Sequence, residues 1–187
     1  LYGVDSLGIY CSTDRGASWD TVATREPNDS SYSWLVPPTP SESCLVRIVA
    51  YDPSQNPGQD ASDSLFRISD DSPPEVTVLV PNGGEDWSVG EDDTIKWTAW
   101  DNVGVDHLDI YYSADGGSGW DTVSLNELND SSYLWTVPPP LSDSCLVRIV
   151  AYDASLNFDD DLSDSLFRVS DHIPPQVSVL SPNGGED

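Results

Sequence analysis

The side chains in this sequence that could do chemistry are mostly oxygens. Asp and Glu number 33 of 187 residues against 7 Lys and Arg, a formal charge of −26. They gather in places: Asp70 and Asp71 in SDDS, Asp101 beside Asn102, Asp153 near Asn157, and the run Asp159 to Asp161. Carboxylate and amide oxygens converging from separate stretches are what calcium takes, and extracellular modules hold it with Kd of about 10⁻⁴–10⁻³ M. Left apart, the same residues are a solvated acidic face. Other chemistry has little to stand on. In a chain this acidic, a pair of carboxylates carries no information about general acid–base work. His107 and His172 are isolated, and no nucleophile–base constellation or catalytic metal signature appears. The chain is not expected to be an enzyme.

The charge excludes other classes. A nucleic-acid binder needs the opposite sign, and an anionic membrane surface would repel this chain. No apolar run approaches the roughly 20 residues of a membrane span, and no stretch reads as a signal peptide. Lys96 is the sole lysine, and seven Trp with eight Tyr argue against disorder. An acidic, lysine-poor surface suits a protein secreted into a saline or calcium-containing medium, outside the cell or on its surface.

The elements that must position these oxygens are organised around CLVRIVAYD, residues 145–153, which recurs letter for letter at 44–52. Its alternation puts Cys145, Val147, Ile149 and Ala151 on one face and Leu146, Arg148, Val150 and Tyr152 on the other, a strand with its core face named. The recurrence is general. Trp19 and Trp120, Trp34 and Trp135, Cys44 and Cys145, and Pro73 and Pro174 are all 101 residues apart. One domain per 101 residues is expected. The division is an incomplete repeat over 1–72, a complete one over 73–173, and the first strand of a third over 174–187. The chain then reads as a segment of a longer tandem array. Donor-strand assembly, in which 174–187 completes a neighbour's first domain, is the rival.

Within the complete repeat, short strands are expected at 75–80, 94–100, 105–113, 120–125, 132–137, 145–153 and 166–169. Turns and loops separate them, the longest being acidic, at 154–165. Seven strands with turn signals every 8–12 residues read as an all-β sandwich. Here IKWTAWD, SYLWTVP and CLVRIVAYD resemble the B, E and F strands of fibronectin type III and bacterial immunoglobulin-like domains. The wider pattern, from PNGGEDW through IYYSADGGSGW to VRIVAYD, is similar to tandem repeats of very large secreted or surface proteins of bacteria. The resemblance implies seven-stranded sandwiches in tandem with a structural or adhesive role.

In such a sandwich the loops after the second and sixth strands meet where the first strand enters. Asp101 and Asn102 would then face Asp153, Asn157 and Asp159, with Asp70 and Asp71 arriving on the linker, a candidate calcium site at the domain joint. The first repeat would use Asp52 and Asn56. The resemblance also brings Cys11 near Cys44, either as a disulfide or as two buried thiols. STDRGASW (12–19) and SADGGSGW (113–120) match Asp-box turns, structural devices in which an Asp accepts from turn amides. Asn28 and Asn129 head glycosylation sequons at equivalent positions. The expected partners are copies of the chain itself, with glycans or a cell surface for an adhesin, and Trp87 and Trp100 are the candidate exposed contacts.

Overall fold

The computed structural model describes residues 3–185. Leu1, Tyr2, and the Glu186 and Asp187 that end the repeated PNGGED lie outside the described residues. The chain divides into two compact units, Leu1–Asp71 and Ser72–Asp187.

The first unit holds β1 (Ser6–Ser12), β2 (Asp20–Glu26), β3 (Ser41–Tyr51), β4 (Pro57–Ala61) and β5 (Phe66–Ile68) in one sheet, ordered β2-β1-β3-β4 with β5 also on β3. The second holds β6 (Glu75–Val80), β7 (Asp86–Ser88), β8 (Asp92–Trp100), β9 (Val105–Ser113), β10 (Asp121–Glu127), β11 (Ser132–Thr136), β12 (Ser142–Asp153), β13 (Phe158–Leu162) and β14 (Phe167–Ser170). Its larger sheet runs β10-β9-β12-β14-β7 with β13 also on β12, and its smaller one runs β11-β8-β6. All of its described strand pairs are antiparallel except β14 with β7. The result is an all-β sandwich.

Strand β12 is the hub. One edge pairs with β9 along most of its length, and the other pairs first with β14 and then with β13. Its inward residues Cys145, Val147, Ile149 and Ala151 are sealed from solvent. They face Val78, Ile95 and Trp97 of the smaller sheet within one core cluster. Alternation explains the arrangement: a slip of one residue would turn this whole face outward. Tyr112 of β9 lies in the same layer, its hydroxyl 3.2 Å from the Cys145 Sγ.

Four outcomes differ from the sequence pattern, the first being that residues 174–185, expected to hold the first strand of a third repeat, form no strand. The acidic stretch 154–165 is not all loop, because Phe158–Leu162 forms β13 despite its aspartates. Tertiary partners override the poor strand propensity: Arg148 Nε lies 2.8 Å from Asp160 Oδ2, and Asp161 Oδ2 accepts the Val78 amide at 2.8 Å, tying the two sheets together. Trp87 is a core residue rather than an exposed contact. Parallel pairing of β7 with β14 draws it inside, its ring 5.2 Å from Phe167 and 6.0 Å from Trp135. In the first unit, residues 31–35, the counterpart of β11, form no strand. In the second unit β11 pairs with β8, and residues 3–71 contain no counterpart of β8.

The cysteines are buried free thiols, not a disulfide. Cys11 lies opposite Val46, so Cys44 is its diagonal neighbour. Diagonal positions on antiparallel strands are about 7–8 Å apart, beyond the reach of a relaxed disulfide. Burial pushes the Cys11 thiol up from its ordinary pKa, with Cys44 and Asp20 adding to the shift.

Ile149→Ala should cost about 2–5 kcal/mol through the cavity it leaves. Leu134→Ala, on the exposed face of β11, should stay within about 0.5 kcal/mol. Urea unfolding of the two variants checks the inward and outward assignments.

Candidate metal centre

Two strands, one from each sheet of the second unit, deliver an aspartate to the same end of the core. In β12 the inward series Val147, Ile149, Ala151 continues to Asp153. The series Ile95, Trp97, Ala99 of β8 continues to Asp101, the first residue past the strand's end. Each carboxylate is therefore the next inward position after a small alanine, and alternation aims both between the sheets. Asp153 is 0% exposed and Asp101 8%. An oxygen of one lies within 4.8 Å of an oxygen of the other.

The loops that follow hold the carboxylates in place. Asp101 Oδ1 accepts the amides of Val103 and Gly104, both at 2.7 Å. Asp153 Oδ1 accepts the amides of Ser155 and Asn157 at 2.8 Å, and its Oδ2 accepts Asn157 Nδ2 at 2.7 Å. Buried aspartates need such donors. Asp101 Oδ2, also buried, has no hydrogen-bond partner. Two negative charges at this separation repel by about 3 kcal/mol at an effective dielectric near 20.

The other expected ligands fall in several places. Asn157 serves as the donor that orients Asp153, and Asn102 is an exposed residue of the turn after β8. Asp159 is exposed on β13, opposite Ala151. Asp70 is a buried residue at the end of the first unit, and Asp71 is exposed with an oxygen 3.1 Å from the Ser69 hydroxyl that donates to it. Glu75 pairs with Trp100, so the chain enters the second unit at the end where Asp101 lies. In the first unit Asp52 repeats the Asp153 loop, accepting from the Ser54 and Asn56 amides at 2.9 Å and from Asn56 Nδ2 at 2.8 Å. The Asn56 bonds hold the Asp52 carboxyl below its ordinary pKa. Among the described residues Asp52 belongs to no carboxylate cluster like the one that holds Asp153.

The remaining polar clusters are structural. Asp14 Oδ1 accepts the Ser12 hydroxyl at 2.7 Å and the Ser18 amide at 2.8 Å, and Oδ2 accepts the Ser18 hydroxyl at 2.5 Å. Asp115 repeats the device with Ser113 and the Gly119 amide, both at 2.8 Å. These are Asp-box turns. Ser170, His172 and Asp86 have the composition of a catalytic triad but not its geometry. His172 Nε2 is the nitrogen that approaches both Ser170 Oγ, at 2.7 Å, and Asp86 Oδ2, at 3.4 Å. Ser170 Oγ also donates directly to Asp86 Oδ1. A relay needs the acid and the serine on opposite ring nitrogens. The sequon residue Asn129 is engaged on both sides, its Oδ1 accepting Trp97 Nε1 at 3.2 Å and its Nδ2 donating to the Ala99 carbonyl at 3.0 Å.

No family model matches this sequence, and no curated protein does. Among solved structures the chain is similar to the fibronectin(III)-like modules of CbhA from Clostridium thermocellum, with TM-score 0.42, 13% identity, and 95% of this chain and 85% of that chain covered. It is also similar to a tetra-tandem repeat in the extending region of a large adhesion protein, with TM-score 0.41, 18% identity, and 90% and 42% covered. The chain thus spans less than half of the second structure. Both are module types that the sequence itself resembles. At these scores the likeness carries no argument of its own, and the sandwich stands on its sheets and registers.

Two tests follow from these contacts. Hydrogen bonds from Ser18 and Ser12 lower the Asp14 pKa to about 2. A depressed carboxylate stabilises the fold above its unfolded pKa of about 3.9 and ceases to as pH falls through its folded value. Asp14→Asn should therefore flatten the first unit's acid-induced loss of stability between about pH 4 and pH 2, followed by circular dichroism. Asn129→Ala leaves the Trp97 indole N–H unpaired and should cost about 1–3 kcal/mol by urea unfolding. Asn28→Ala, on an exposed residue, should cost less.

Proposed function

We propose that the chain is a structural repeat module of an extracellular filament, sheath or stalk, and that its partners are copies of itself. The observation that carries this reading is duplication without specialisation. Across the 101-residue offset the two units share strand register, with Tyr10 opposite Arg47 and Tyr111 opposite Arg148. They also share the Asp-box turn and the Asp52/Asp153 loop. Repeats of constant length joined by Pro-Pro linkers take equal steps, and equal steps generate a rod or a helical filament. With strands of about 8 residues, each domain adds at least ~26 Å before loops. The acidic, lysine-poor surface supports an extracellular setting and keeps unpaired modules soluble.

An adhesin or carbohydrate-binding spacer is the second reading, favoured by Trp100, which is 64% exposed. The other outward rings serve it less well. His107 and Tyr152 stack on each other at 4.7 Å and 11°, each covering a face the other would need for a sugar.

Negative-stain electron microscopy of the purified chain and of longer arrays separates the two. Regular rods with a domain-sized repeat are the expected result. Flexible strings without helical or lateral order, combined with a glycan-array signal lost in Trp100→Ala, would replace the filament reading with the spacer.

A further inference from the structure

We infer that Asp101 and Asp153 bind a calcium ion at the end of the second unit's sandwich. The inference does not depend on the filament reading. It has two independent supports: two buried carboxylates from opposite sheets with oxygens within 4.8 Å, and Asp101 Oδ2, buried without a hydrogen-bond partner. Proteins avoid leaving a buried carboxylate oxygen bare. Here the bare oxygen belongs to a residue with a second negative charge beside it, so the missing neighbour is a cation.

Among the described residues no lysine or arginine forms an ion pair with Asp101 or Asp153. Lys96 points outward from β8, and Arg148 is held by Asp160 on the outer face of the larger sheet. The donors described at the site are oxygens, with no imidazole or thiolate in the cluster. Hard oxygen donors select calcium or magnesium over zinc. Calcium tolerates irregular geometry and long bonds, whereas magnesium needs a near-ideal octahedron and gives up water reluctantly. Two carboxylates fixed by separate loops, with water completing the shell, suit calcium at the weak affinities of extracellular modules.

The strands explain why the site is preformed. Asp153 is the last residue of the paired strand β12 and Asp101 directly follows β8, and the amides of Val103, Gly104, Ser155 and Asn157 fix the rotamers before any ion arrives. The first unit supplies an internal control, because Asp52 has the same loop but belongs to no carboxylate cluster among the described residues.

The test uses the whole chain, titrated with calcium chloride at constant ionic strength. The melting temperature of the second unit should rise saturably, with a midpoint of roughly 0.1–1 mM. Terbium(III) luminescence sensitised by tryptophan, reversed by calcium, provides a readout independent of stability. Asp153→Asn and Asp101→Asn should each weaken calcium binding at least tenfold, and Asp52→Asn should leave it unchanged. Asp101→Asn should also melt no lower than the parent without calcium, since it keeps the Oδ1 acceptor and removes the repulsion. A melting temperature indifferent to calcium up to 10 mM, with no calcium-reversible terbium signal, overturns the assignment. So does calcium binding that survives both substitutions, which would mean ions bound diffusely by the acidic surface.

Discussion

The second unit depends on one constraint, the strict alternation of β12. A strand of twelve residues cannot choose its inward side chains one at a time. Once Val147 and Ile149 are committed to the core, Cys145, Ala151 and Asp153 are committed with them. The apolar residues supply the burial that makes this register worth holding, at roughly 1.5–3 kcal/mol for each large side chain. Asp153 is carried inward by the same geometry and would oppose it if bare. The loop after it, with the Ser155 and Asn157 amides and the Asn157 side chain, meets its hydrogen-bonding demand locally. A charged residue at the mouth of the core is thus a consequence of strand register, held by the turn chemistry that follows.

Much of this was legible in the sequence, for a definable reason. Period-two patterns survive translation into structure because a buried face leaves no freedom of register, so the inward set of β12 could be named from alternation. The elements that escaped are those made by tertiary partners rather than pattern. Phe158–Leu162 has three consecutive aspartates and no strand signature, yet Arg148 and the Val78 amide hold it at an edge. Trp87 sits in a turn-rich stretch that gives no hint of a parallel pairing with β14. The carboxylate pair is an intermediate case. Loop positions suggested the neighbourhood, but the stronger signal lay in the strands themselves. Ala99-Trp100-Asp101 and Ala151-Tyr152-Asp153 each extend an inward series by one further step, and following parity past the last apolar residue picks out these two carboxylates from thirty-three acidic residues.

Comparing the two units shows what duplication preserves. Equivalent stretches keep equivalent local devices: the Asp-box turns close alike, and the loops after β3 and β12 close alike around Asp52 and Asp153. Local hydrogen bonding needs only local sequence. Features that rely on distant segments behave otherwise. Trp135 is buried between sheets, while residues 31–35, with Trp34 in the corresponding position, form no strand where β8 has no counterpart. Arg148 has Asp160 as its ionic partner, whereas in the first unit Gln59 stands at the position equivalent to Asp160, and Arg47 lies against Trp19 and Tyr10, 4.4 and 5.2 Å from the ring centroids. A cation over an aromatic face retains part of what the ion pair supplied.

The same comparison bears on how an acidic repeat protein stays folded. Seven basic side chains cannot neutralise 33 acidic ones, so most carboxylates must be dispersed in water or tied to backbone amides. This chain uses both means. Asp14, Asp115, Asp52 and Asp153 accept two or more donors each from short loops, turning negative charge into turn geometry. At Asp101 a buried oxygen lacks a hydrogen bond, and there the opposite sheet brings the Asp153 carboxylate close. Dispersal and capping work residue by residue, but two carboxylates forced together by the registers of two sheets need a common counter-charge. The ion pairs of Arg67, Arg148 and Arg168 lie at other carboxylates.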